Sequence, residues 1–270
     1  MAVEALERRV SELIKDVNLE LSPSFTKLVD NTVSSIKNII NLIPEDFQVT
    51  ADKAPGFVRD VGADKVDFKF KKPKLFEVGG SYSIGGVVKP DVNVDLLMRL
   101  PKYLQSSALI SKVEWSCLQN EARKPILVIY PTLEVSNLPG FSVKIIPMAT
   151  SLFSISKLNA TRNNVRALNQ EGVPLPTPKY NFSILEDIFI EEFAEVLKGT
   201  FHGWDELRKA LVLIKVWARQ RSSMYSHDCL NGYLIAVIMS YLAANKGGGY
   251  INKSMNAMQI FRVTLDFIGS

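Results

Sequence analysis

The sequence predicts an α+β protein, on three observations. Apolar and polar residues alternate with period two only in the first half of the chain, a polar, proline-rich stretch follows it, and beyond that stretch the spacing is helical throughout. The elements follow in order.

Ser24 to Ile43 carries Phe25, Leu28, Val29, Val33, Ile36, Ile39, Ile40 and Ile43 at helical spacing, with Pro44 closing it. This belongs to an N-terminal helical segment over 1–45. The period then changes to two: Val66, Phe68 and Phe70 alternate with Asp67, Lys69 and Lys71, and Leu75 to Val78 follows Pro73. Gly79-Gly80-Ser81 interrupts these strands, a short helix takes Tyr82 to Ile84, and after Gly85-Gly86 another strand carries Val92, Val94, Leu96 and Met98. Further strands are expected at Ile126 to Tyr130 and Phe141 to Ile146, turned by Leu138-Pro139-Gly140. Together these make a mixed-sheet domain over 46–161.

Residues 162–180, with Pro174, Pro176 and Pro178, read as a linker. A helical domain over 181–270 follows, with helices at Ile184 to Lys198, Leu207 to Arg221, Asn231 to Ala244 and Met255 to Phe267.

The 270 residues are 47% hydrophobic, enough for one large core or two modest ones, which excludes a disordered chain. A net charge of +4 permits nucleic-acid binding without demanding it. Cys117 and Cys229 are too far apart in sequence for a metal knuckle or redox pair. The charged N-terminus is unlike a signal peptide. The apolar stretch from Leu230 to Ala244, broken by Asn231, Gly232 and Ser240, falls short of the ~20 residues of a membrane helix. Cytosol or nucleus is therefore the expected compartment, and the sequons at Asn159, Asn181 and Asn252 are chance matches.

Chemistry concentrates between Val78 and Asp95. Glycines at a strand end let backbone amides approach a phosphate, although a glycine turn between two elements explains them equally simply. Residues two apart on a strand share a face, so Asp91, Asn93 and Asp95 are expected on one side while Val92, Val94 and Leu96 pack inward. Two carboxylates at that spacing can share a pair of Mg²⁺ ions, but the middle residue is an amide.

These residues resemble the layout of nucleotidyltransferases such as poly(A) polymerases, CCA-adding enzymes and oligoadenylate synthetases. The stretch VGGSYSIGGVVKPDVNVDLLMRLP, Val78 to Pro101, is similar more particularly to the Nrap family of nucleolar RNA-associated proteins. Leu211 to Arg221, Leu230 to Leu234 and Phe261 to Leu265 also look like Nrap, the first two resembling the helical PAP/OAS-like module that follows the transferase domain. The resemblance runs from about Phe57 onward. It implies family members much longer than this chain, which would then be an N-terminal piece or a short gene model, together with nucleolar localisation and a role in the small-subunit processome and pre-18S rRNA maturation. Pre-rRNA and processome proteins are the implied partners, with tRNA a further candidate; no membrane, cofactor or small-molecule substrate is implied.

Matched to active relatives, the strand carboxylates fall on Asn93 and Asp95, and the third strand offers Ser142 and Lys144 in place of an acid. The resulting expectation is a vestigial pocket of Gly80, Ser81, Asn93 and Asp95, with no metal and no nucleotidyl transfer; the alternatives are an active RNA nucleotidyltransferase and a pure protein scaffold without RNA contact. Asp91 sits roughly 13 Å from Asp95 along an extended strand, too far for metals ~4 Å apart; Glu134 is the other alternative acid. Ser81 has no base beside it and is expected to cap a helix. His202 and His227 are isolated, and the Lys69, Lys71, Lys72 and Lys74 cluster reads equally as a phosphate contact or a solvated edge. On the helix from Leu207, Leu211, Ile214 and Ala218 form the inner stripe while Lys215, Arg219 and Arg221 project elsewhere. By resemblance Lys215 lies where active relatives direct a lysine to the triphosphate, and Tyr225 near where they place a tyrosine. Lys89, Lys215, Arg219 and Tyr225 are thus the candidate RNA or phosphate contacts.

Overall fold

The computed structural model describes residues 2–50, 68–73, 75–98, 110–121, 124–132, 140–148, 154–165, 174–221, 230–244 and 249–270. Helix α1, Ala2–Val17, lays Val10 and Ile14 against the helical core. Its end is stitched to the loop before the strand that starts at Asn93, Lys89 N–H donating to Val17 O at 2.8 Å. Helix α2, Pro23–Leu42, starts with Pro23 in its first turn and the Ser22 hydroxyl accepting from the Phe25 amide, which satisfies one of the orphan donors of a helix start. The periodic stripe predicted for it is the face it buries: Phe25, Val29, Val33, Ile36 and Ile40 pack on the sheet. Each such side chain contributes about 1.5–3 kcal/mol by leaving water.

The alternating run predicted around Phe68 yields only a two-residue strand. β1, Gln48–Val49, pairs antiparallel with β2, Phe68–Lys69; Phe70 is buried beyond it, and Val66 and Asp67 lie outside the described residues. The main sheet comprises β3, Phe76–Gly79; β4, Asn93–Met98; β5, Ile110–Cys117; β6, Pro125–Pro131; and β7, Ser142–Pro147. Its order is β3-β4-β7-β6-β5, and β4 runs parallel to β7 while every other pair is antiparallel. Helix α3, Gly80–Ser83, links β3 to the loop leading into β4. Val94, Leu96 and Met98 face α2, whereas Leu97 joins Ile126, Val128 and Ile146 on the opposite face.

Strand β5 was not predicted. It is an edge strand carrying Lys112 and Glu114, with Trp115 more than a third exposed and a register shift between Ile110 and Lys112, so its period is interrupted and neither face is clearly apolar.

The helix expected over Ile184 to Lys198 is two helices. α4, Pro178–Ile188, and α5, Ile190–Phe201, break at Phe189, and α5 covers the far face of the sheet with Ile190 and Ala194. The described residues before α4 are pinned to it by the fully buried Asn181, whose amide donates to Asn159 O at 2.7 Å and Arg162 O at 3.0 Å and accepts from Asn164. A buried Asn181 is no glycan acceptor. Helices α6, Asp205–Arg221, α7, Gly232–Ala243, and α8, Ala257–Gly269, form a second core around Leu211, Ile214, Ile235 and Ile260. Asn231 caps α7, and Asn256 with Gln259 makes a reciprocal capping box on α8.

Candidate functional site

The pocket lies where the start of β4 and β7 meets α3, α6 and α7. Gly79 pairs with Asp95 across β3 and β4. Gly80 then turns with φ +64°, and a Cβ there would stand 1.8 Å from the Asp95 Oδ2. Only glycine fits, because both the left-handed backbone and the approach of the carboxylate exclude a side chain. Asn93 and Asp95 lie on one face of β4 and both line the pocket with Gly80 and Ser81 at its rim.

The parallel register sets β7 against them: Asn93 faces Ser142, and Asp95 faces Lys144. The Ser142 hydroxyl donates to Asn93 Oδ1 at 2.8 Å. Burial raises the Asp95 carboxyl above its usual range, while Lys144 and then Lys215 pull it back down. Asp91 precedes the strand and lies more toward solvent; Arg219 donates to its Oδ2 at 2.6 Å and to Lys89 O at 2.9 Å. Lys89 itself is exposed, its ammonium reaching Asp16 O at 3.3 Å.

Two expectations are corrected. Lys215 does not project away from the inner stripe: it lies four residues after Leu211 and three before Ala218, and is buried with them. Its ammonium donates to Ser81 Oγ at 2.7 Å and Gly86 O at 2.6 Å, and runs so close to Gly232 that a Cβ there would meet Lys215 Cε at 2.7 Å. Burial pushes it down to about 8, against the pull of Asp95, and Arg219 adds to the depression. Ser81 is not a cap; the cap position of α3 is Gly79, and the serine hydroxyl is the acceptor for Lys215. Tyr225, His227, Glu134 and Lys74 lie outside the described residues, while Lys71 pairs with Asp46 at 2.6 Å on the surface.

Tyr233 was missed, although it sits inside the Leu230 to Leu234 stretch. It lines the pocket from α7 with its hydroxyl buried and without a hydrogen bond among the described residues, and burial, then Glu186 and Asp187, push its pKa up. A latch also escaped the sequence. After β5, Gln119 lines the pocket and reaches Glu186, and Lys124 binds Ser183 O, Glu186 and Asp187 on α4 at 2.9–3.2 Å.

No group of three His, Cys, Asp or Glu side chains able to hold a metal occurs among the described residues. The pocket does not fit a pair of divalent cations: Asn93 offers an amide, and Lys144 faces the carboxylate from the adjoining strand. A unit positive charge ~4 Å from a divalent ion costs several kcal/mol even at an effective dielectric constant of ~20.

The Nrap protein domain 1 model matches residues 102–203, and the Nrap protein PAP/OAS-like domain model matches 206–270, together more than half of the chain. The chain belongs to the Nrap family. Nucleolar protein 6 of Xenopus laevis is 28% identical over 98% of this chain and 26% of its own length; that of Homo sapiens is 24% identical over the same shares. The U3 small nucleolar RNA-associated protein 22 of Schizosaccharomyces pombe is 27% identical over 59% of the chain and 15% of its own length. The chain thus spans about a quarter of the nucleolar protein 6 relatives. Among solved structures, Cid1, an RNA terminal uridylyl transferase, covers 89% of this Nrap chain and 53% of its own at 13% identity and TM-score 0.42.

Proposed function

We propose that the chain carries the first domain and the PAP/OAS-like domain of a nucleolar ribosome-biogenesis factor of the Nrap family, acting in the small-subunit processome on pre-18S rRNA and contacting RNA and processome proteins without catalysing nucleotidyl transfer. The relatives named for the nucleolus and for association with U3 small nucleolar RNA support the setting. The observation that carries the non-catalytic part is the register of β4 and β7, which puts Lys144 opposite Asp95 and leaves Asn93 as the other polar residue of that strand face. Transfer requires metal charge to offset the triphosphate as its bond breaks, and one carboxylate beside an amide and an ammonium does not gather it.

Surface contact with RNA falls to exposed cations such as Lys89, because Lys215 is buried and Arg219 is committed to Asp91. The test is to incubate purified protein with Mg²⁺ or Mn²⁺, each nucleoside triphosphate and short RNA, alongside Asp95→Asn. No incorporation is expected. Incorporation abolished by Asp95→Asn would overturn the reading.

A further inference from the structure

Helix α7 carries no charged residue from Gly232 to Ala243, a composition that suits a helix covered on every side. Among the described residues it is covered on one side only. Ile235, Ala236, Met239 and Leu242 are buried in the helical core, whereas Leu234 is 42% exposed and Tyr241 54%, with Val237 and Ile238 half-buried between them. Leu234 and Tyr241 are two turns apart and therefore share a face. Neighbouring helices prolong that face. At the start of α7 the Tyr233 ring meets Phe193 of α5 at 6.3 Å, and at its end the Tyr241 ring meets Phe267 of α8 at 6.0 Å. Phe193, Val196 and Phe267 are themselves exposed. The result is an apolar ridge roughly 20 Å long, at 1.5 Å per residue along α7 with one ring contact at each end. A lone exposed leucine needs no explanation, but a contiguous apolar ridge marks an interaction surface.

One edge of the ridge is acidic. Helix α5 places Glu191, Glu192 and Glu195 beside Phe193 and Val196, against a single cation, Lys198, which Glu77 and Glu195 already hold. Helix α7 adds no charge, and α8 adds one of each sign, Arg262 and Asp266. Such an edge repels the phosphates of RNA, and a second copy of the chain brings the same surplus of carboxylates. It suits a segment that is apolar along one stripe and basic beside it.

We propose that the outer face of α7, flanked by α5 and α8, docks an amphipathic helix of a partner protein, its apolar stripe along Leu234 and Tyr241 and its basic flank toward Glu192 and Glu195. Val196, Leu234, Tyr241 and Phe267 are not among the residues lining the pocket, so the proposal stands whether or not the chain transfers nucleotides.

The test titrates the whole chain with two helical peptides of about fourteen residues, a length that matches the ridge at 1.5 Å per residue. Both carry one leucine stripe, flanked in one by lysines and in the other by glutamates. The chain's net charge of +4 draws the acidic peptide, so preference for the basic one reports the local edge. The basic peptide binds about tenfold more tightly than the acidic one, by a margin that shrinks in salt, and slows amide hydrogen exchange in α5, α7 and α8. Val196→Gln with Tyr241→Gln, both at exposed positions, weakens it about tenfold or more, and Glu192→Gln a few-fold. If the double variant fails to fold, the exchange footprint on the natural chain decides, and protection confined to other elements overturns the proposal. No binding of the basic peptide, equal affinity for the two peptides, or affinity unchanged in the double variant also overturns it. Two outcomes would instead name another occupant and overturn it equally: short RNA displacing the peptide, or self-association of the natural chain that the double variant abolishes.

Discussion

The latch beside the pocket and the floor beneath it each bury a lysine, and the two are treated in opposite ways. At the latch, burial weakens the charged form of Lys124, but Asp187 and Glu186 more than offset this and its ammonium is held above the usual range. One ammonium cannot neutralise two carboxylates, and Asp187 accordingly stays raised by its own burial despite Lys124. At the floor, Lys215 has only neutral oxygens within hydrogen-bond reach, and burial drives it down to about 8. A lysine whose charge is spent on acids holds two elements together; one whose hydrogen bonds go to neutral oxygens, with Asp95 only partly offsetting its burial, holds its charge weakly.

The largest expected effect breaks the latch. Lys124→Met should destabilise by about 2–3 kcal/mol in urea unfolding, less than the ~3–5 for a fully buried pair because Glu186 and Asp187 keep some solvent. Adding Glu186→Gln and Asp187→Asn should recover most of the loss. If the triple variant is no more stable than Lys124→Met, the latch is packing and not charge.

The floor should give way less. Lys215→Met strips a donor from Ser81 Oγ and Gly86 O while removing a buried charge, so a net loss of about 1–2 kcal/mol is expected. Its pH signature is sharper. The folded-state value of about 8 lies below the ordinary 10.5, so between these limits the unfolded chain binds the extra proton, and stability rises with pH across that window. Lys215→Met should flatten this rise; an unchanged slope would mean another group carries it.

The contrast between latch and floor was only half legible in the sequence. The period of β4 placed Asn93 and Asp95 on one face, and Ser142 and Lys144 were visible as the polar positions of β7. The burial of Lys215 is present in its spacing from Leu211 and Ala218, whereas the charge of a lysine ordinarily marks a solvent-facing position. The latch left no local trace, because Lys124 meets partners 62 and 63 residues away whose side chains read as ordinary surface acids. Edge strand β5 and the break at Phe189 failed for a related reason: tertiary contacts, α5 turning onto the sheet among them, decide them, and neither interrupts the local pattern with glycine or proline.

The smallest effect is the most diagnostic of the floor. Asp95 is a carboxyl raised by burial and only partly relieved by Lys144 and Lys215, so above the ordinary value of 3.8 the folded state holds the proton more tightly than the unfolded one. Its contribution to stability therefore declines as pH rises through that window. An amide of nearly the same shape fits against Gly80 and carries no charge to bury. Asp95→Asn should thus match the natural protein near pH 4 and exceed it at pH 7, by less than about 1 kcal/mol because the two lysines already offset part of the burial. A variant less stable at pH 7 than at pH 4, relative to the natural protein, would show that a cation pairs directly with Asp95 and that the floor is built like the latch.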